Sequence, residues 1–261
     1  MNKARIGALI LRHLYNFKHR TDRWFDAFYW PLMDILLWGL TSAYIRDAST
    51  AIPNLVMILL TGLVFWQTVW RSQYEITTNL LEEMWSRNLV NLFATPLSIY
   101  EWMVGVVFLG VVKMFITVGF SFLLVFFMYQ VNIFKIGWLL LPLIGLLLMS
   151  GWYIGFIVSG ILVRYGTRIQ TLAWSGVYLL APFSAIYYPV KSLPLWAQKV
   201  AQFVPTSYVF EGMRAVLFEG KMDLMMLAKS GGLSIIYLII SGFFFVWMFN
   251  KSRKIGLSSV E

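Results

Sequence analysis

The sequence predicts an all-α polytopic membrane protein with six transmembrane helices. Its composition indicates this class, because 59% of the residues are hydrophobic and only 13% are charged. Several apolar runs also approach or exceed about 18 residues, the length that an α-helix needs to cross the hydrocarbon core of a bilayer. A soluble protein could bury one such helix in its core, but it could not bury six.

The apolar runs divide a single membrane domain, residues 1–261, into six predicted spans. Span five is short and contains Pro182, which a membrane helix tolerates where neighbouring groups satisfy the freed carbonyl. The predicted spans are 26–46, 53–71, 102–129, 137–163, 171–188 and 231–249.

Basic residues predict which side of the membrane each loop occupies, because Lys and Arg accumulate on cytoplasmic segments. The N-terminal segment and the tail 250–261 are both rich in Lys and Arg, and the loop between spans four and five adds Arg164 and Arg168. The segments after spans one and three hold only Arg46 and Lys135. Both termini are therefore expected to be cytoplasmic. The net charge of +9 follows from this bias and does not call for a nucleic-acid partner.

Residues 1–24 have the pattern of an amphipathic helix that lies in the cytoplasmic interface, with its cations facing anionic headgroups. The alternative is a flexible basic leader. The apolar face consists of Ile6, Ile10, Leu14 and Phe17, and the basic face of Arg5, Arg12, His19 and Arg23.

The long loop 189–230 is predicted to lie outside and to be helical. Pro194 precedes LWAQKVAQF, and Pro205 precedes the helical pattern YVFEGMRAVLFE, so each proline favours a helix start. Both segments are apolar enough to enter the outer leaflet as a re-entrant hairpin packed against protein. A pair of helices lying on the surface fits the pattern equally well.

No catalytic, cofactor-binding or metal-binding motif is found in the sequence. There is no P-loop and no H-E-x-x-H motif, Cys is absent, and the only histidines, His13 and His19, lie in the N-terminal helix. The chain therefore cannot hydrolyse ATP by P-loop chemistry.

Two ionisable residues fall within predicted spans, where each is costly. Asp34 lies in span one and Lys113 in span three. They form either a substrate-site or gate pair, or an ion pair that only fixes helix packing. Deep aromatic residues either line a path for an amphipathic substrate or simply pack: Trp38, Trp66 and Trp174. Small residues permit close helix packing in span four: Gly151, Gly155 and Ser159.

The charged stretch between spans two and three predicts a helix near 75–88 that docks a partner. Its apolar residues suit a groove on another protein, and Thr95-Pro96 ends the segment because a residue before proline disfavours the helical conformation. Arg87 is spaced to pair with Glu83 at i,i+4. The polar residues are Glu75, Glu82, Glu83 and Arg87, and the apolar ones are Leu80, Leu81, Met84 and Trp85.

The stretch NLLEEMWSRNLVNLFATPLSIYEWMVG (79–105) resembles the cytoplasmic loop of ABC-2 type exporter permeases. In that family an acid-rich helix is followed by a leucine-rich segment, a Thr/Ser-Pro-Leu-Ser turn and span three. The stretch FVPTSYVFEGMRAVLFEG (203–220) is similar to the family's second signature, with Pro205, Glu211 and Arg214 at the matching positions. Together with the spans, the resemblance covers essentially the whole chain.

The resemblance implies a permease in the cytoplasmic membrane of a prokaryote that pairs with itself or with a homologous permease. Two separate ATP-binding subunits would hold ATP and Mg²⁺, and the complex would export a hydrophobic or amphipathic substrate. The second cytoplasmic loop, with Arg164 and Arg168, would form a smaller contact with those subunits. The turn NLFATPLS (91–98) is closer to the drug-exporting branch than to polysaccharide exporters, although lipids and lipid-linked glycans remain alternatives.

Two other functions compete with the exporter. An ion-driven secondary transporter usually has internal repeats and coupling acids, and neither is visible here apart from Asp34. A lipid-modifying membrane enzyme would need a polar catalytic cluster at one interface, for which the sequence offers only scattered Glu and Arg.

Overall fold

All regular secondary structure in the computed structural model is helical across the residues that it describes, 1–48 and 55–257. Short 3₁₀ segments lie at Ile133–Leu139, Gly166–Ile169, Gly176–Leu179, Ala181–Phe183 and Val190–Ser192. The α-helices are α1 (Lys3–His19), α2 (Thr21–Ala48), α3 (Leu55–Trp85), α4 (Leu89–Ala94), α5 (Ile99–Tyr129), α6 (Leu140–Tyr165), α7 (Leu172–Ser175), α8 (Leu195–Ala201), α9 (Pro205–Glu219) and α10 (Leu224–Ile255).

Four helical segments within the described ranges are long and apolar enough to cross a membrane, so the chain is a multi-pass membrane protein. They correspond to predicted spans two, three, four and six, although α10 begins seven residues before the predicted 231 and continues to Ile255. The segments are Leu55–Trp85, Ile99–Tyr129, Ile133–Ile169 and Leu224–Ile255.

Predicted spans one and five are not both long enough and apolar enough to be counted as membrane-crossing helices. The helix α2 is 28 residues long but carries Asp22, Arg23, Asp26 and Asp34, which lower its hydropathy. The segment 171–188 is a succession of short turns, in which the apolar helical part covers only Leu172–Phe183. A helix of that length is shorter than the roughly 30 Å hydrocarbon core.

The helix α3 is the centre of the bundle. It lies against α2, α5 and α6, while α6 is packed between α3 and α10. Nearly every residue of α3 from 58 to 81 is buried, including polar side chains that would be exposed on a peripheral helix. The helix α3 therefore makes contacts on all sides, which explains why its apolar residues do not form a single stripe.

The predicted small-residue face of α6 packs directly on α3 of the same chain. A methyl group at Gly151 would collide with the Ser72 side chain and lie 2.5 Å from the Val69 carbonyl oxygen. A methyl group at Gly155 would lie 3.1 Å from Ile76. Glycine at 151 therefore allows the two backbones to approach closely.

We expect Gly151→Ala to destabilise the protein by about 1–3 kcal/mol, because the added methyl group overpacks a backbone contact that cannot move freely. Thermal unfolding in detergent would measure the change. Gly145→Ala is the matched control on the same helix, since no atom lies within 4 Å of a methyl group there. Equal unfolding temperatures for the two variants would contradict the close α3–α6 contact.

The N-terminal segment is helical, but the buried face of this helix differs from the predicted one. The inward residues are Leu9, His13 and Phe17, and α1 packs against α5 and the start of α2. The predicted apolar residues Ile6 and Ile10 are only partly buried. This rotation arises because α1 lies on other helices, which accept a buried histidine in the middle of the face. The helix also ends at His19, before the predicted boundary at 24.

The segment 189–230 contains the two expected helices, α8 and α9. Pro205 is the first residue of α9, which therefore begins three residues before the predicted helical pattern. The inner face of α9, including Val209, Phe210 and Met213, is fully buried against α6 and α10. In contrast, α8 leaves Leu195 and Trp196 mostly exposed. The α9 half of this hairpin is thus part of the packed bundle. Residues 258–261 of the predicted tail lie outside the described residues.

Candidate functional sites

The predicted docking helix near 75–88 is the last part of α3 and not a separate element. A 31-residue helix is about 46 Å long, so α3 extends beyond a hydrocarbon core of about 30 Å. Its last turns lie against α5 and contact Arg12 and His13 of α1 through Glu83, and Glu75, Glu83 and Met84 are each at most 2% exposed. These three residues therefore do not form a surface for a partner, contrary to the prediction.

The acids at the end of α3 bind the basic residues of α1 and early α2. Arg12 Nη2 lies 2.7 Å from Glu83 Oε1, and Arg23 forms an ion pair with Glu82. The expected pairing of Glu83 with Arg87 is wrong, because Arg87 has left the helix with φ of 51°. The basic face of α1 is likewise not directed only at headgroups, since part of it holds α1 to α3.

The loop between α3 and α5 does present an exposed surface, centred on α4. Leu89, Leu92 and Phe93 point inward, and the Phe93 ring lies 4.6 Å from that of Phe249 on α10. After Thr95-Pro96, Ser98 and Glu101 form a capping box that begins α5. The exposed residues, which we call the α4 surface, are Trp85, Arg87, Val90, Asn91 and Ala94.

The second predicted docking loop lies beside this surface. The Trp85 indole N–H donates a hydrogen bond to Gln170 Oε1 at 3.0 Å, which joins the end of α3 to the segment after α6. In that segment Arg168 is exposed and Arg164 is partly buried. The two loops that the sequence assigned to one partner are thus adjacent at one end of the bundle.

The expected pairing of Asp34 with Lys113 is not formed. Lys113 Nζ lies 2.7 Å from Glu75 Oε2, and Arg71 Nη2 lies 2.8 Å from Glu75 Oε1. Asp34 instead accepts a hydrogen bond from Gln67 Nε2 at 2.8 Å. The three charges of Arg71, Glu75 and Lys113, which we call the buried triad, are each at most 5% exposed.

His13 extends the polar interior from the buried triad towards α1. It is 3% exposed, and its Nε2 lies 3.9 Å from Glu83 Oε1. Burial lowers the pKa of His13 to about 4, and the positive charges of Lys113 and Arg12 act in the same direction, whereas Glu83 and Glu75 oppose them. The folded protein therefore holds this imidazole neutral at neutral pH.

We expect acid to destabilise the protein through His13. The unfolded chain takes up a proton near pH 6.5 and the folded chain only near pH 4, so stability falls as the pH drops through this window and is unaffected above it. The shift corresponds to roughly 3 kcal/mol. Unfolding temperatures of the wild type between pH 7 and 4 should therefore fall more steeply than those of His13→Gln. His19→Gln, at an exposed position, is the control, and parallel curves for His13→Gln and wild type would refute the assignment.

At the opposite end of the bundle, the residues of the second signature also form a cluster. Glu211 Oε1 accepts hydrogen bonds from the Val190 N–H at 2.6 Å and from Arg214 Nη2 at 3.0 Å. Arg214 also donates to the Ile186 carbonyl oxygen at 3.4 Å. Pro205 begins the helix that carries both charges and accepts a bond from Ser230. Glu211 and Arg214 line a cavity of about 810 Å³ and tie α9 to the turns before α8.

The buried triad as a unit is not predicted from the sequence. A usable signal was present, because Arg71 and Glu75 are spaced i,i+4 and therefore share one helix face. The predicted boundaries place Glu75 in a cytoplasmic helix and Lys113 in span three, and for this reason they do not predict the pair. The burial of His13 is not predicted for a different reason. The sequence of an amphipathic helix does not show that one of its two histidines is buried.

The described ranges contain no group of three or more His, Asp or Glu residues that could hold a metal ion. No protein-family model matches the chain, and no curated protein matches it either.

Proposed function

We propose that the chain is the membrane-spanning subunit of an exporter powered by separate ATP-binding subunits, of the ABC-2 type that its motifs resemble. The observation that carries the proposal is the α4 surface. It is a short exposed helix held between two long membrane helices, at the end of the bundle where the basic N-terminal helix also lies. A partner that moves α4 would therefore act directly on the transmembrane helices.

Four connections support such coupling. The end of α3 leads into α4 within four residues, and the capping box of Ser98 and Glu101 fixes the start of α5 directly after the Thr95-Pro96 turn. The edge-to-face contact of the Phe93 and Phe249 rings links α4 to α10. Arg5 donates to the Pro96 carbonyl oxygen at 2.5 Å, which adds α1 to the same assembly. A displacement of α4 would thus reach α1, α3, α5 and α10.

In the proposed topology the α4 end is cytoplasmic, together with both termini, in the cytoplasmic membrane of a prokaryote. The helix α2 serves as a further span despite its acids, because Asp34 binds Gln67 inside the bundle. The segment 171–188 crosses the membrane as a succession of short turns, and the α8–α9 hairpin enters it from the outer side, both of which are tolerated where backbone is packed against protein.

The proposed assembly contains two copies of this permease, or this chain with a homologous permease, and two ATP-binding subunits that carry ATP and Mg²⁺. Neither the chain's function nor its fold requires nucleic acid. Membrane lipids surround the exposed apolar residues of α5 and α10, such as Phe115, Phe127, Ile239 and Phe243. The substrate is hydrophobic or amphipathic, and drug-like compounds, lipids and lipid-linked glycans are the candidates.

An ion-driven secondary transporter is the second candidate, and the buried triad is the observation that favours it. Buried ionisable residues inside membrane bundles frequently belong to ion or proton pathways. However, Glu75 is held by two cations at 2.7 and 2.8 Å, so its charge is already compensated by residues of the chain itself. Transport that needs an ion gradient and no ATP-binding subunit would establish this alternative.

Co-purification tests the proposed assembly. The tagged chain is expressed with the ATP-binding cassette subunit encoded nearest to it, extracted in mild detergent, and its complex mass is measured by light scattering. We expect two copies of each subunit in one particle. Purification of the chain without the ATP-binding subunit, under conditions in which both are expressed, would refute the proposal.

A further inference from the structure

A small pocket lies between α2, α3 and the turns after α7, and it combines one carboxylate with aromatic walls. Its volume is about 190 Å³. Apart from Asp34 and Gln67, every residue around it is aromatic. The lining residues are Trp30, Asp34, Trp66, Gln67, Trp70 and Tyr178.

The carboxylate in this pocket lacks a cationic partner within the described part of the chain. Asp34 is partly buried, and its only hydrogen-bond donor there is the Gln67 amide at 2.8 Å. By contrast, Glu75 has two cations within 2.8 Å, and Glu82 and Glu83 have arginine partners. An ionisable residue at this depth is costly unless it is paired or serves a ligand, so Asp34 offers an unused negative charge.

The aromatic walls suit a positively charged ligand. The faces of Trp and Tyr attract cations, and cages of such side chains recognise quaternary ammonium groups. Trp66 forms the inner wall and is 5% exposed, whereas Trp30 and Tyr178 at the rim are about half exposed. The pocket therefore opens sideways from the bundle and not towards its centre.

The volume limits what can enter. Pockets for drug-sized ligands measure about 300–1,000 Å³, so this one accommodates only the head of a larger molecule. Leu37, one turn after Asp34 on α2, and Leu179, next to Tyr178, are more than 60% exposed and provide an apolar surface for a tail. A charged head inside and an apolar tail outside describe an amphiphilic cation.

We propose that this pocket binds the cationic head of an amphiphile, a quaternary ammonium or a protonated amine, with Asp34 as the counter-ion. The inference rests on the proposed exporter function and narrows its substrate class to amphiphilic cations. The cavity of about 810 Å³ near α9, which we call the outer cavity, is a poorer candidate for a cation. Its lining includes Lys191, Arg214 and Lys221 as well as three acids, so the positive and negative charges balance.

Isothermal titration of the purified chain in neutral detergent tests the proposal, using three probes with the same octyl tail. Octyltrimethylammonium should bind saturably, whereas octyl sulfate and octyl glucoside should not. Asp34→Asn should weaken binding of octyltrimethylammonium at least about tenfold, and Trp66→Leu by several-fold, because the first removes the counter-ion and the second removes an aromatic face. Glu219→Gln is the matched control, since it neutralises an exposed acid in the outer cavity.

Unchanged affinity in Asp34→Asn, or equal binding of the sulfate, would overturn the site. If Asp34→Asn does not fold, Trp30→Leu at the exposed rim serves instead, and unchanged affinity there would count equally against the pocket. The titration uses the permease alone, so failure of cation binding leaves the exporter assembly standing. Conversely, if no ATP-binding subunit co-purifies with the chain, the titration still shows whether the pocket binds the cation.

Discussion

Glu75→Gln should destabilise the protein by about 3–5 kcal/mol, the effect expected when one partner of a buried ion pair is removed. The substitution keeps the shape of the side chain but leaves Arg71 and Lys113 as two uncompensated positive charges in the centre of the bundle. Both cations lie within 2.8 Å of the Glu75 carboxylate, and neither is more than 5% exposed. Unfolding in detergent, followed by loss of monodisperse protein on heating, would measure the change.

The ranking of the stability losses caused by different substitutions in the triad is a more specific test than the size of any one loss. Lys113→Met leaves Arg71 and Glu75 as a neutral pair, so it should cost clearly less than Glu75→Gln. The double variant Glu75→Gln with Lys113→Met restores the original net charge of the triad and should be more stable than Glu75→Gln alone. A greater loss of stability in Lys113→Met than in Glu75→Gln would contradict this account of the charges.

Large charged side chains on the outer face of α4 should abolish capture of the ATP-binding subunit. Ala94→Arg and Ala94→Glu each place a charge on an exposed position, and the inward residues Leu89, Leu92 and Phe93 are left intact. Burying such a charge at an interface costs about 2 kcal/mol or more, so we expect at least a tenfold loss in the amount of co-purified subunit. Both variants are needed, because an opposite charge on the partner would compensate either the arginine or the glutamate, but not both.

The control for these variants lies at the other end of the bundle. Gln202→Arg and Gln202→Glu introduce bulky charges at an exposed position after α8 and should leave capture unchanged. Substitution of Glu82 or Glu83 is a poor probe of docking, because both acids bind arginines of α1 and α2. If the Ala94 variants retain full capture, α4 is not the docking element.

Much of the architecture was predictable because it depends on local patterns. Long apolar runs fixed four of the spans, Pro205 marked the first residue of α9, and the spacing of Gly151 and Gly155 indicated a close helix contact. Each of these signals lies within one element, where periodicity and side-chain size decide the outcome. The identity of the helix that packs on Gly151 was not predictable, because it depends on tertiary contacts.

The candidate sites were harder to predict, since they depend on which side chains meet across elements. The acidic stretch predicts a helix, but the sequence does not show that this helix is the end of α3 or that Arg12 of α1 binds one of its acids. Partners for Asp34 and Lys113 were likewise assigned by depth alone. In the structure Asp34 and Lys113 have different partners. Lys113 binds Glu75, which lies on α3 one turn after Arg71, and Asp34 binds Gln67.

The most direct test of the exporter assignment is the vanadate-sensitive ATPase activity of the ATP-binding subunit with and without this chain, reconstituted in lipid nanodiscs. The chain alone, in whose sequence no P-loop motif occurs, is measured as the blank. We expect the assembled complex to hydrolyse ATP at least several-fold faster than the isolated subunit, and Ala94→Arg to remove that stimulation while Gln202→Arg preserves it. Equal ATPase activity in the presence and absence of the wild-type chain would contradict the account.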